Sequence, residues 1–297
     1  MIVRIRAFLI RLMPYLGFFM SDIVYLKLRW FILNGYKLNL KTPLTFSEKI
    51  QWLKLYDRNP TYTKLVDKYE VKKFVSDVIG CQYVIPTLGV WDKFEDIDFD
   101  LLPDQFVLKT TNGSHTLIIC RDKKHFNKEM AGKKFRKWLK INPYYIYREW
   151  AYKDVKPRII AEKYMKDDAM DELTDYKFFC FNGIVAYCQV IANRETNETI
   201  DFYDKNWIHQ DFVGLNAFQH APNGHKTPVK YYDMIQIAEK LSKGIPFVRV
   251  DLYSINDQVY FGEMTFYPAA GEGRFRPERW NKRIGDLIEL PNFCIRV

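Results

Sequence analysis

Acidic side chains are the scarcer charge in this chain: 36 Asp and Glu stand against 45 Lys and Arg, a formal net charge of +9. Such an excess suits an anionic partner, whether nucleotide phosphates, an acidic polysaccharide, an anionic membrane surface or nucleic acid. No strand alternates basic and aromatic residues as single-stranded RNA readers do, although 16% of residues are aromatic, so nucleic acid is not expected. Cysteine is thin as well. The five, Cys81, Cys120, Cys180, Cys188 and Cys294, are odd in number, scattered and without a C-x-x-C pair, which argues against a disulfide framework and a cysteine-built zinc site. A reducing, cytoplasmic setting is expected, with Cys180 and Cys188 acting as small hydrophobes on apolar strands. No apolar run reaches the roughly 18 residues of a membrane span, because Arg11 and Pro14 interrupt the N-terminal stretch, and no small-residue cleavage site follows it. Internal repeats, low-complexity tracts and flexible linkers are absent too.

What remains is a folded chain, 48% hydrophobic over 297 residues, long enough for two or three subdomains. The N-terminal stretch is apolar and basic, carrying Arg4, Arg6, Arg11, Lys27 and Arg29 against Asp22. It suits either a peripheral segment on an anionic leaflet or a helical pair packed on the body. Next, TFSEKIQWLKLY reads as a helix opened by a Thr45/Glu48 capping box. NPTYTKLVDKYEVKKFVSDVIG offers two helix starts, Asn59-Pro60 and Asp67 with Glu70; the second places Lys68 in a first helical turn ahead of a stop at Gly80. QYVIPTLGVW is a strand and turn. QFVLKTTNGSHTLIIC is strand, polar loop, strand, and a basic helix follows over 126–139. PRIIAEKYM is a buried strand. In YKFFCFNGIVAYCQVIAN the pair Asn182-Gly183 marks a hairpin, and 231–243 reads as a helix ending at Gly244. Hairpins outnumber β-α-β units, which predicts an α+β fold of antiparallel sheets with packed helices.

The last hairpin, VRVDLYSINDQVYFGEMTFYP, carries Asp251 and Glu263 among Val, Leu, Tyr and Phe. Parity puts Arg249, Asp251 and Tyr253 on one face, and Phe261, Glu263 and Thr265 on one face of the return strand. A two-residue turn at Asn256-Asp257 would pair Asp251 with Gly262 and send Glu263 to the other side. An odd-length loop, Ile255 to Asp257, is therefore expected, since it brings both carboxylates together. Paired acids repel unless a cation lies between them. Arg249 answers that need as a salt bridge, magnesium as a metal site. Elsewhere, Lys109 before Gly113-Ser114 fits a phosphate loop or a solvated hairpin tip, and Glu162-Lys163 fits a ligand-binding hinge or a surface ion pair. Asp175 and Lys177 stand at the entry to the Asn-Gly hairpin. His115 reads as an exposed loop residue.

Taken in order, VDKYEVKKFV, QFVLKTTNGS, IIAEKYM, DYKFFCFNG and VRVDLYS…YFGEMTFYPAAGEGRF resemble the ATP-grasp superfamily, and in detail its TupA-like branch, associated with surface-polysaccharide synthesis. The resemblance spans about Thr45 to Arg276. It implies an ATP-grasp fold holding the nucleotide between two subdomains, with a helical N-terminal extension. The implied division is 1–43 as the basic helical segment, 44–104 as a pre-ATP-grasp subdomain, 105–163 as the lid and 164–297 as the C-terminal part with the metal site. Lys68 and Lys109 resemble the two lysines that hold ATP phosphates, and Gly113 and Ser114 the mobile loop covering them. Glu162 matches the acid of the adenine hinge, with Lys163 and Tyr164 facing the base. Asp175, with Lys177 beside it, corresponds to the ribose position. Asp251 and Glu263 match the Mg²⁺ carboxylates, Arg249 lying next to them, while Thr265 falls where the wider superfamily usually has Asn. Read from its own residues, AAGEGRFRPERW offers Gly271 and Gly273 for close backbone approach, and Arg274 and Arg276 fit either bidentate contacts to a substrate carboxylate or a solvated basic loop. The implied activity is ATP- and Mg²⁺-dependent carboxylate-amine ligation in capsule or surface-polysaccharide assembly, with an acidic sugar intermediate and an amine as partners. A sugar or lipid-intermediate kinase on the same fold, a glycosyltransferase and a non-catalytic glycan or membrane binding module are the alternatives.

Overall fold

The computed structural model describes residues 2–168, 173–192, 197–215 and 219–291; Cys294 and the side chain of Arg4 lie outside the described residues. The chain opens with α1 (Ile2–Leu16) and α2 (Asp22–Asn34), the latter stopped by Gly35 at φ 80°. Tyr25, Leu26 and Trp30 seat α2 on the body, whereas Phe8, Tyr15, Phe18 and Phe19 stand exposed around the α1–α2 junction. Among the described residues, no helix is long and apolar enough to cross a membrane.

α3 (Phe46–Tyr56) starts on the expected capping box: the Thr45 hydroxyl accepts from the Glu48 amide and Glu48 reaches back to the Thr45 amide. Both later starts are used, giving α4 (Thr61–Val66) and α5 (Glu70–Ile79), with Gly80 at φ 110° ending the second. Asp67 accepts from the Tyr69 and Glu70 amides at 2.8 and 3.1 Å. Lys68 consequently stands in the turn ahead of α5 rather than in its first turn, and its amide donates to the Thr111 carbonyl at 3.2 Å.

A four-stranded antiparallel sheet follows, built from β1 (Thr87–Trp91), β2 (Phe106–Thr110), β3 (Leu117–Cys120) and β4 (Ile159–Lys163) in the order β1-β4-β2-β3. Between β3 and β4 lie α6 (Lys128–Trp138) and α7 (Pro143–Tyr147). Phe106, Leu108, Ile159 and Ala161 face α6 and share a core with Phe99 and Phe135. Strand parity turns Lys109 and Glu162 to the other face.

The second half of the chain forms β5 (Asp175–Phe181), β6 (Ile184–Ala192), β7 (Thr199–Asp204), β8 (Val213–Leu215), α8 (Tyr231–Ser242), β9 (Phe247–Ile255), β10 (Gln258–Thr265), β11 (Arg274–Arg276) and α9 (Arg279–Asp286). Five of these strands make an antiparallel sheet, β10-β9-β5-β6-β7, and β8 pairs with β11 separately. Every residue of β5 is buried, because both faces of the sheet are covered. Phe178, Cys180 and Val250 meet α8, and the opposite face carries Phe179, which packs on Phe46 of α3, together with Lys177 and Asp251. Cys180 and Cys188 are core residues as expected.

The β9–β10 hairpin differs from expectation in one instructive way. Its turn is the two-residue Asn256-Asp257, both left-handed at φ 49° and 56°, with Ile255 paired to Gln258. The two acids nevertheless lie opposite each other, since the register slips between Phe261 and Glu263, making Gly262 the extra residue of a β-bulge. Phe261 thus pairs with Leu252 in the core while Glu263 and Thr265 pair with Asp251 and Arg249 on the other face. A Cβ on Gly262 would approach the Asp251 carbonyl oxygen and Tyr253 Cε2 to 3.0 Å. Gly262→Val should cost about 1–3 kcal/mol by overpacking, read as a lower urea midpoint; an unchanged midpoint would show that the bulge has room for a side chain.

Candidate active site

Asp251 is the buried centre of the site, with 2% of its side chain exposed. Arg249, two residues earlier on the same strand face, grips it with Nε to Oδ1 at 2.6 Å and Nη2 to Oδ2 at 2.7 Å. Lys177, its cross-strand partner on β5, donates to Oδ2 as well and lies 3.5 Å from Asp175. Arg249 Nη2 also donates to Thr265 Oγ1 at 3.0 Å and lies 3.4 Å from Glu263. One row across three strands therefore reads Lys177, Asp251, Glu263. The salt-bridge reading of the hairpin is realised: Asp251 is neutralised by Arg249 and Lys177.

Glu263 is more open, a third of its side chain being exposed. Burial would raise its pKa, but Lys68, Lys177, Arg249 and Lys109 outweigh that and bring it down to about 2. Lys68 lies 3.6 Å from Glu263 and donates to the Gly113 carbonyl at 2.7 Å. Through this lysine the β2–β3 loop of the small sheet meets the last hairpin of the large one. Gly113 is buried and Ser114 and His115 are exposed. A Cβ on Gly113 would fall 2.8 Å from Thr116 Oγ1, so the tight loop requires glycine there.

On the small sheet Glu162 is buried between two lysines, ion-paired to Lys109 and, at 2.6 Å, to Lys72. Burial would raise the Glu162 carboxyl, yet the two ammonium groups hold it below its ordinary range. Lys72 also donates to the Ile85 carbonyl at 2.7 Å and to Thr87 Oγ1 at 2.9 Å. It went unnoticed in the sequence, although its spacing from Lys68 is one helical turn. Lys163 is exposed, its amide donating to the Pro86 carbonyl at 3.0 Å, and Tyr164 is half-buried.

The segment after β10 turns sharply: Ala269, Ala270 and Gly271 are all left-handed, at φ 48°, 54° and 62°. A Cβ on Gly271 would come within 2.5 Å of Ile50 Cγ2. Gln51 donates to the Gly271 carbonyl at 2.9 Å, and the fully buried Lys54 donates to the Ala270 carbonyl at 2.6 Å. Burial lowers the Lys54 pKa and raises that of Glu149 beside it, and the Arg29–Glu272 ion pair completes this buried network. Consecutive strained residues next to a charged cluster are characteristic of functional loops. Arg274 lies apart: its guanidinium donates to Asn34 Oδ1 at 2.6 Å and Tyr36 Oη at 2.9 Å at the end of α2. Arg276 is exposed on β11.

The donor set suits a hard divalent cation. Glu263 offers open carboxylate oxygen, Thr265 a hydroxyl 3.3 Å from it, and Asp251 an oxygen once Lys177 or Arg249 yields it. Four cationic side chains, Lys68, Lys109, Lys177 and Arg249, act on Glu263, and such a concentration of positive charge suits a polyphosphate.

The chain belongs to the TupA-like ATP-grasp family, whose model matches residues 48–289. A search of curated protein sequences returns no match. Among solved structures it is similar to the D-alanine–D-alanine ligase of Bacillus anthracis, at 18% identity over 74% of this chain and 58% of that one, TM-score 0.37. It is also similar to D-cycloserine synthetase DcsG, at 16% identity over 70% and 64%, TM-score 0.38. A third likeness is to the ATP-grasp ligase PsnB, solved with a precursor variant, Mg and ADP, at 11% identity over 81% and 65%, TM-score 0.41. The chain thus spans about three fifths of the length of these proteins, and likenesses this distant carry no weight for its substrates.

Since the Glu263 pKa is lowered on folding, its stabilising contribution is complete above about pH 4.5 and is lost as pH falls toward 2. Urea unfolding between pH 6 and 3 should show the parent losing more stability toward acid than Glu263→Gln. Equal losses would dissociate Glu263 from the lysine cluster.

Proposed function

We propose that this protein is an ADP-forming carboxylate-amine ligase acting in the cytoplasm on capsule or other surface-polysaccharide intermediates, joining an amine such as an amino acid to an acidic sugar such as a uronic acid. The observation that carries the ATP-dependent chemistry is the convergence of Asp251, Glu263, Lys68 and Lys177 from three separate parts of the chain. The family membership supports it. In this reading Lys68 and Lys109 hold the ATP phosphates, and the Gly113-Ser114 loop closes over them through backbone N–H groups. Glu162, Lys163 and Tyr164 line the adenine position; Asp175 and Lys177 approach the ribose and the phosphate chain. Asp251, Glu263 and Thr265 would hold Mg²⁺, which when bound supplies positive charge to the phosphoryl oxygens.

A substrate carboxylate oxygen attacks the γ-phosphorus and ADP leaves, giving an acyl phosphate. The amine nitrogen then attacks the acyl carbon, loses a proton, and inorganic phosphate departs as the amide forms. Arg249 and the lysines stabilise charge on the transferring group, and no nucleophile from the protein is needed. Arg274 and Arg276 on β11 are assigned to the substrate carboxylate; for Arg274 this requires release from Asn34 and Tyr36. The exposed Phe8, Tyr15, Phe18 and Phe19, with Arg6 and Arg11 nearby in sequence, support a peripheral contact of the N-terminal helices with anionic lipid at the inner membrane face.

Hydroxylamine separates the rivals. ATP turnover with a uronic acid and an amine should yield a hydroxamate on trapping, whereas a kinase yields a stable phosphate ester and none. ADP release with no nucleotide sugar present excludes a glycosyltransferase, and absence of ATP binding with Mg²⁺ would leave only a binding module. Glu263→Gln should lower turnover at least about 100-fold, several kcal/mol of transition-state stabilisation, with the far-ultraviolet spectrum unchanged. Asp251→Asn should do the same, but with a stability loss of up to about 3–5 kcal/mol because Arg249 and Lys177 lose their buried partner. Parent-like turnover in both variants would end the metal assignment. Lys109→Ala should weaken ATP binding about 10- to 100-fold, the worth of one charge-assisted hydrogen bond, and unchanged affinity would remove Lys109 from the phosphate site.

A further inference from the structure

Three of the chain's five histidines meet on a single carboxylate. His209 Nε2 and His220 Nδ1 each lie 2.8 Å from Asp201 Oδ1, and His225 Nε2 lies 3.0 Å from Oδ2. The Ala221 amide donates to Oδ2 at 3.0 Å. The Asp201 side chain is fully buried, while His209 and His220 are 43% and 39% exposed, leaving a path from solvent. The cluster is separate from the nucleotide site. Asp201 pairs with Val190, Val190 with Tyr176 and Tyr176 with Leu252, a row that faces α8, whereas Lys177 and Asp251 occupy the opposite face. Three strand spacings, about 14 Å, lie between β7 and β9.

Imidazole nitrogen with carboxylate oxygen is the ligand chemistry of zinc and its neighbours. A tetrahedral ion with ligand distances of about 2.0–2.1 Å has its donor atoms about 3.3 Å apart. The carboxylate-imidazole separations of 2.8–3.0 Å fall within a few tenths of an ångström of that. The donor atoms of Asp201, His209 and His220 all lie within 4.8 Å of one another. Each inner ring nitrogen donates to the carboxylate here; to bind the ion it gives up that proton, and the neutral imidazole carries its proton on the outer ring nitrogen. The scarcity of cysteine excludes a thiolate site and leaves this one untouched.

The surrounding chain gives such an ion a task. Between β7 and α8 the described regular structure is a single three-residue strand, β8, and connections this long are rarely ordered without a special device. His209 precedes β8 and His220 and His225 follow it, so one ion would fasten both arms to β7. β8 in turn pairs with β11, Leu215 opposite Arg274 and Val213 opposite Arg276. We propose that Asp201, His209 and His220 bind Zn²⁺, with His225 holding the other carboxylate oxygen, and that the ion fixes this segment, and through β8 the position of β11.

The test uses the full chain stripped with a chelator and titrated with Zn²⁺ against a chromogenic competitor, and with Co²⁺ as a spectroscopic probe. One equivalent of Zn²⁺ should bind, Co²⁺ should give the intense visible bands of a tetrahedral site, and Zn²⁺ should raise the melting temperature. The partly exposed pair His209→Gln/His220→Gln should weaken Zn²⁺ binding at least about 100-fold, the upper range for lost supporting contacts and a lower bound for lost ligands, and should abolish the thermal shift. His115→Gln/His125→Gln should change neither. Failure to take up stoichiometric Zn²⁺ would overturn the proposal and leave Asp201 as a hydrogen-bonded knot. Binding undiminished in the His209/His220 variant, or a weak octahedral Co²⁺ spectrum, would assign the metal to the surface and overturn it equally.

Discussion

A buried carboxylate cannot remain ionised without partners, and Asp251 is the one on which this molecule depends. Arg249 grips both of its oxygens and Lys177 shares Oδ2, with Glu263 directly across the hairpin. Removing one member of such a group leaves the rest desolvated and uncompensated, a loss of about 3–5 kcal/mol. That constraint ties β5, β9 and β10 to one register. It also makes the bulge at Gly262 necessary, since without the extra residue Glu263 would point into the core.

The same balance explains how a charged cluster can serve as a binding site. Cations of the chain stand close to the acids, and Lys68 bridges Glu263 to the Gly113 carbonyl. A polyphosphate with its divalent ion can exchange these partners without leaving any charge unpaired. On the small sheet Lys109 and Lys72 balance the buried Glu162 in the same way.

Much of this was legible in the sequence wherever the signal is local. The Thr45/Glu48 capping box, the stop at Gly80, the Asn182-Gly183 turn and the α+β pattern all rest on contacts a few residues apart. The pairing of Asp251 with Glu263 was also reached, but by the wrong device: an odd loop was expected where a two-residue turn and a bulge give the same offset. Parity depends on one inserted residue, and a glycine between Phe261 and Glu263 does not announce itself as that residue. Lys54 was hidden for a different reason. A lysine in an amphipathic helix reads as solvent-exposed, and only the carbonyls of Tyr147 and Ala270, far along the chain, explain its burial. The meeting of three histidines on Asp201 is likewise a product of tertiary folding.

In the function proposed above, the acids of the last hairpin and the distant lysines share one cation and one polyphosphate. Crystals grown with Mn²⁺ and a non-hydrolysable ATP analogue would test it through the anomalous signal of manganese. A peak between Asp251 and Glu263, with the analogue's phosphates reaching Lys68 and Lys109, is the predicted result. Manganese bound elsewhere, with Arg249 and Lys177 still closed on Asp251 and no nucleotide density between the two sheets, would contradict it.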